Sequence, residues 1–121
     1  MTKTEYINAI IDCCIENPMF QAVIFVKSRR SVYMINEFII KTCMDGCCKI
    51  VLNGYLGRAL VEFQNGSLIS INAAGLYNMR GKRYNVALIE NEVSKEIVFD
   101  CIAPYVILQY PGVTLRGIIW I

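Results

Sequence analysis

Apolar positions change period several times along the chain, and each change marks a predicted element. Residues 4–16 place Tyr6, Ile10, Cys13 and Cys14 near one face at helical spacing, with Thr4 as a candidate cap and Pro18 past the end. The segment from Gln21 to Lys27 contains Ala-Val-Ile-Phe-Val, apolar on both faces, as expected of a central strand covered on each side. Ser28 is placed to cap a second helix from Arg29 to about Met44. Val32, Ile35, Ile39 and Cys43 form its apolar stripe, and Asp45-Gly46 is its natural stop.

The period then shortens. Lys49 to Leu52 reads as a short strand, with a turn at Asn53-Gly54. Arg58 to Gln64 alternates, with Leu60, Glu62 and Gln64 on one face and Ala59, Val61 and Phe63 on the other. Asn65-Gly66 joins this run to Ser67–Ala73, the strongest hairpin signal in the chain. Gly75 to Tyr84 is a polar loop, Asn85 to Ile89 an apolar strand, and residues 93–103 a helix with Val93, Ile97, Cys101 and Val98 inward, ended by Pro104. Val113 to Ile121 reads as a strand. The expected fold is α/β: a single domain over residues 1–121, with a mixed central sheet of about five or six strands flanked by about three helices.

Composition narrows the function. With 55% hydrophobic and 18% charged residues, the chain is not disordered. Twelve basic against ten acidic residues give +2, too little for a whole-domain field that would hold nucleic acid without local clustering. The longest apolar uncharged stretch, Cys101 to Leu115, is interrupted by Pro104, Pro111 and Gly112 and falls short of the ~20 residues of a membrane span. The first residues, Met-Thr-Lys-Thr-Glu-Tyr, carry no secretory signal pattern, so a cytoplasmic location with reduced thiols is expected. The six cysteines, at 13, 14, 43, 47, 48 and 101, lack the paired spacing of a zinc site, and the chain has no histidine. Buried thiols are expected rather than a metal, and Ser-His or Cys-His catalysis is excluded.

Neither a phosphate-binding G-x4-G-K-[ST] loop nor a G-x-G-x-x-G is present, and those glycines have steric roles that other residues fill poorly. Glu90 and Glu92 follow an apolar strand, where α/β enzymes place acids that hold Mg²⁺ or activate water; first-turn acids of a following helix are the alternative. Lys27, Arg29 and Arg30 follow the first strand, and Arg80, Lys82 and Arg83 precede the strand at 85. If these strands are antiparallel the two clusters converge on phosphates, with Tyr33, Tyr77 and Tyr84 near for stacking; if parallel, they lie at opposite edges. Solvated loops are the plainer reading of each.

The order of segments resembles a known family. Gln-Ala-Val-Ile-Phe-Val-Lys-Ser-Arg-Arg (21–30) enters a helix, and Phe63-Gln64-Asn65-Gly66-Ser67-Leu68-Ile69 comes after it. Met79-Arg80-Gly81 then precedes the strand to Ile89 with acids after it, and Pro104 closes the next helix. Over roughly residues 21–104 this is similar to the ATPase domain of phage terminase large subunits, the motors that package DNA. The family's phosphate loop would precede Gln21, where this sequence has a short helical segment. The resemblance sets Glu90 in the place of the Asp that organises Mg²⁺ and Asn91 in the place of the water-positioning Glu, with Glu92 reached only by a shifted alignment. Asn91 cannot take a proton, so the general-base role is lost. The resemblance therefore implies a non-catalytic phage-type protein, not an enzyme and with no cofactor, that binds nucleic acid or an acidic protein face through its basic loops, including Tyr84. Alternatives are a small phage-encoded inhibitor of a host enzyme or defence complex, of the anti-CRISPR kind, and an ATPase fragment that needs another chain. The apolar strand at 113–121, guarded only by Arg116, is expected to favour a homodimer.

Overall fold

The structure is a computed structural model that describes residues 1–43, 57–73 and 82–121, together with the backbone of 48–53. Helix α1 (Lys3–Glu16) starts one residue earlier than its periodicity suggests, and Thr2 rather than Thr4 caps it. The Thr2 hydroxyl accepts the Glu5 N–H at 3.1 Å and the Glu5 carboxylate accepts the Thr2 N–H at 3.3 Å, a reciprocal capping box that Thr4, with Ile7 three residues on, has no acid to form. That start puts Ile7, Ile10, Ile11 and Cys14 on the buried face.

Strand β1 (Gln21–Val26) leads into helix α2 (Arg29–Thr42), capped by Ser28 as expected, since its hydroxyl accepts the Ser31 N–H at 3.1 Å. The predicted stripe Val32, Ile35, Ile39 and Cys43 is buried, and Asn36 joins it. The expected stop at Asp45-Gly46 lies outside the described residues. Strands β2 (Cys48–Asn53), β3 (Arg58–Phe63) and β4 (Leu68–Ala73) come next, then β5 (Val86–Ile89) and β6 (Gly117–Trp120). Among the described residues the sheet has six strands in the order β2-β3-β4-β1-β5-β6. β4, β1, β5 and β6 are mutually parallel, β3 is antiparallel to β4, and β2 is antiparallel to β3.

Register defines two faces. Ala22, Ile24, Val26, Ile69, Ile71, Ala59, Val61, Phe63, Val86 and Leu88 pack with α1 and α2 into the larger core. On the other face, cross-strand rows run Leu60–Ser70–Val23–Ala87–Ile118 and Arg58–Asn72–Phe25–Ile89–Trp120. This second face is apolar over β1, β5 and β6 and polar over β3 and β4. Val93, Val98 and Ile102 cover its apolar half.

The cover departs from the expected regular helix over 93–103. Only Lys95–Ile97 is α-helical (α3). Val98–Ile102 then forms a wide π-type turn and Ala103–Tyr105 a tight 3₁₀ turn that accommodates Pro104. The wider turn shifts the phase of the side chains, so Val98 and Ile102 point inward while Cys101 is exposed and Ile97 only half-buried. The expected strand over 113–121 is likewise shorter. A turn at Pro111-Gly112 bonds the Val113 N–H to the Tyr110 carbonyl, and Gly117 (φ +71°) bends the chain where β6 begins.

The Asn-Gly hairpin is present between β3 and β4, and its residues also reach outside it. Gly66 (φ +87°) makes the turn. The Asn65 side-chain amide donates to the Cys14 and Ile15 carbonyls at 2.7 and 3.2 Å, closing the C-terminal end of α1. The fully buried Ser67 hydroxyl donates to the Asn17 carbonyl at 2.8 Å and accepts the Phe20 N–H at 2.9 Å. One tripeptide thus fastens the hairpin to α1 and to the start of β1.

Candidate functional site

Because β1 and β5 are parallel, with Ala22 opposite Val86 and Phe25 opposite Ile89, Lys27, Arg29 and Arg30 lie at the opposite end of the sheet from Lys82 and Arg83. From Tyr84 to Glu90 the chain advances about 20 Å at ~3.3 Å per residue. Convergence of the clusters on one ligand site is therefore not what the sheet provides.

At the carboxyl ends of β1 and β5, Lys27, Arg29 and Arg30 are exposed in the loop and first turn of α2. No acid accompanies them in that turn, so both arginines oppose the positive end of the helix dipole. Glu90 lies beside them and is 7% exposed. One of its carboxylate oxygens accepts the Lys27 N–H at 3.0 Å and the other the Lys3 ammonium at 2.9 Å. Its own N–H bonds the Phe25 carbonyl, and its carbonyl accepts the Val93 N–H. Glu90 thereby ties together the first turn of α1, the link between β1 and α2, and the end of β5. A cation at this carboxylate would have to displace Lys3. Asn91 and Glu92 are exposed, and the Asn91 backbone N–H bonds the Ile121 carbonyl.

At the opposite end, Lys82 and Arg83 are exposed immediately before β5. Arg83 donates to the Lys82 carbonyl at 2.7 Å, and its guanidinium lies 5.7 Å from the centroid of the Tyr105 ring, a cation–π contact that fixes a long side chain in place. The Tyr84 N–H bonds the Tyr105 carbonyl and the Leu108 N–H bonds the Tyr84 carbonyl, which stitches this segment to residues 105–108. Tyr84 itself is 5% exposed, so its ring is part of the protein interior and Tyr105 is the aromatic partner of the basic segment. Tyr33 is exposed on α2, far along the chain from this segment; Arg80 and Tyr77 lie outside the described residues.

Lys82, Arg83 and Tyr84 border a cavity of about 230 Å³ over the polar half of the second sheet face, together with Gln21, Arg58, Leu60, Leu68, Ser70 and Asn72. Among the described residues no carboxylate lines it. Arg58 was missed by sequence reading because it stands at the end of a strand. The available signal was its position two residues before Leu60 on the same face.

Among the described residues the thiols are spread over three elements. Cys13, Cys14 and Cys101 are free, Cys43 is buried in the stripe of α2, and no group of His, Cys, Asp or Glu among the described residues is arranged to hold a metal ion. Burial, reinforced by the neighbouring Cys13, pushes the Cys14 thiol far above its ordinary value. Burial, with Glu16 and Asp12 nearby, also raises Cys13. No helix among the described residues is long and apolar enough to cross a membrane.

No protein-family model matches the sequence, and no curated protein matches it either. Among solved structures, the large terminase ATPase domain of Thermus phage P74-26 superimposes with a TM-score of 0.70 at 13% identity, over 98% of this chain and 53% of that one. A single-residue mutant of the same domain gives a TM-score of 0.70 at 12% identity, over 98% and 54%. The chain spans about half the length of these structures. The likeness read from residues 21–104 thus extends, at the level of fold, across nearly the whole chain.

Proposed function

We propose that this terminase-like α/β domain acts by binding a macromolecule rather than by chemistry, and that its partner is nucleic acid. The observation that carries this reading is the cavity bordered by Arg58, Lys82 and Arg83, with no carboxylate in its lining among the described residues. A basic, partly ordered rim of this kind suits a phosphate backbone. The absence of catalysis is supported by Glu90, whose carboxylate is occupied by Lys3 and the Lys27 N–H, and by Asn91, which has no proton-accepting group. Lys27, Arg29 and Arg30 form a separate contact surface that only a longer ligand reaches.

Fluorescence anisotropy with labelled single- and double-stranded DNA and RNA tests the reading. Combined Lys82→Glu and Arg83→Glu is expected to abolish binding, and each lost phosphate contact should lower the salt slope by roughly one. Unchanged binding to every nucleic acid would overturn it. A protein partner, as in the inhibitor reading, is favoured by a different observation: Tyr33 and Met34 stand 56% and 59% exposed side by side on α2, flanked by Arg30 and Glu37. Self-association is supported by β6. It is the last strand of the sheet, paired on one side only among the described residues, and its residues are half-buried where those of β5 are fully buried. A mass that rises with concentration in sedimentation, and is held at monomer by Ile118→Lys, is the expected result.

A further inference from the structure

Resting on the nucleic-acid reading, we infer that the cavity over β3 and β4 is a binding site for a single phosphate group, with Arg58 as a ligand that the basic loop alone does not supply. The floor carries the inference. Ser70 and Asn72 are 8% and 1% exposed, yet they occupy rows whose members on β1 and β5 are Val23, Phe25, Ala87 and Ile89. Two polar side chains this deeply buried beside the apolar rows of β1 and β5 call for an explanation, because packing alone favours valine or isoleucine there. They satisfy each other in part: the Asn72 amide donates to the Ser70 hydroxyl at 2.9 Å. Both residues line the cavity, so the hydroxyl and the amide lie at its floor.

Charge comes from around this floor. Arg58 belongs to β3, while Lys82 and Arg83 precede β5, so cationic groups and the Ser70 hydroxyl approach from three different elements. Donors spread over three elements suit a tetrahedral phosphate better than a planar carboxylate, which one arginine fork satisfies from one side. Glu62 shares the face but does not line the cavity. At about 230 Å³ the space is smaller than the ~300–1,000 Å³ of pockets that enclose whole small-molecule ligands. A phosphate with its immediate ester substituent fits that scale, whether it belongs to a nucleic-acid backbone or to a small phosphate.

The test is an NMR titration of the full chain with inorganic phosphate and, separately, with an oligothymidylate lacking terminal phosphates. It is repeated with Ser70→Ala and Arg58→Gln. Phosphate is expected to shift Ser70 and the Asn72 side-chain amide saturably, and each variant to weaken phosphate binding roughly tenfold while leaving the rest of the spectrum in place. Competition between phosphate and the oligonucleotide assigns the phosphate to a nucleic-acid backbone; phosphate binding without oligonucleotide binding assigns it to a small phosphate, and then the site stands while the nucleic-acid reading falls. Oligonucleotide binding that depends on Lys82 and Arg83 but is untouched by both variants would overturn the phosphate site and leave the nucleic-acid reading intact. Equal shifts with acetate, or tighter binding of a polyglutamate peptide, would also overturn it.

Discussion

Ser67→Ala removes one oxygen from a position with no solvent access. The hydroxyl donates to the Asn17 carbonyl at 2.8 Å and accepts the Phe20 N–H at 2.9 Å, so the substitution strips two backbone groups of their short partners. A buried group left unsatisfied costs about 1–3 kcal/mol. The Phe20 N–H also lies 3.3 Å from the Asn17 carbonyl, so the two groups keep a long bond to one another. The expected loss is therefore in the lower part of the combined range, about 2 kcal/mol, equivalent to roughly 8 °C in Tm for a domain of this size. Urea unfolding followed by circular dichroism measures it, with an unchanged m-value as the sign that the denatured state is not responsible. Asn65→Ala, which uncaps α1, should lose about 1 kcal/mol alone and less than that in the Ser67→Ala background, because both fasten the same junction. A Ser67→Ala loss below about 0.5 kcal/mol would show that the junction is not held by this hydroxyl.

Gly66→Ala is expected to destabilise by about 1–2 kcal/mol in the same unfolding assay, since φ +87° is strained for a side-chain-bearing residue and the new methyl would meet Met19. Arg29→Glu with Arg30→Glu should raise stability by about 0.3–1 kcal/mol per site, because acids in the first turn of α2 complement its dipole; a lower denaturation midpoint would contradict that. Alkaline stability should depend on Cys14. Its folded-state pKa is raised above the ordinary 9.0, so the unfolded chain releases a proton that the folded chain retains, and the contribution present below pH 9.0 is lost as pH rises above it. Cys14→Ala should therefore lessen the fall in stability between about pH 8 and pH 11, whereas an equal fall in both proteins would remove the thiol from the account.

Legibility in the sequence tracked the range of the interactions. The two-residue alternation around Asn65-Gly66 and the stripe of α2 from Val32 to Cys43 are set by neighbours a few positions away, and they are present as read. Thr2 displaced Thr4 because a capping box depends on the acid three residues on, a local pattern present in Thr2-x-x-Glu5. The wide turn at Val98–Ile102 answers to Pro104 and to the apolar face beneath it, so helical spacing alone placed Cys101 on the wrong side. Strand order was not legible at all. Parallel pairing of β1 with both β4 and β5 joins segments with dozens of residues between them, and no turn chemistry announces it. With it went the relation between the basic clusters and the placement of Arg58. The alternation Leu68-Ile69-Ser70-Ile71-Asn72 did contain a hint, for it puts two polar residues on one face of a strand that is otherwise apolar.

The same sheet separates the resemblance from the function proposed for the chain. What the terminase-like structures share with it at 13% identity is the arrangement of layers, and that arrangement depends on strand registers and apolar rows that many sequences can supply. Chemistry depends instead on individual side chains at strand ends. At the carboxyl ends, Glu90 stands where the resemblance would put a metal-organising acid, but its two oxygens hold Lys3 and the Lys27 N–H. Freeing it would break an ion pair between α1 and the sheet and leave the Lys27 N–H, between β1 and α2, without its acceptor, so the carboxylate is engaged in holding the fold there. The Ser70 hydroxyl lies elsewhere, on the face over β3 and β4, in a cavity that Arg58, Lys82 and Arg83 border. The resemblance therefore points to one end of the sheet and the proposed phosphate to another part of it, and substitutions at Glu90 and at Ser70 should divide cleanly, the first lowering stability and the second lowering binding.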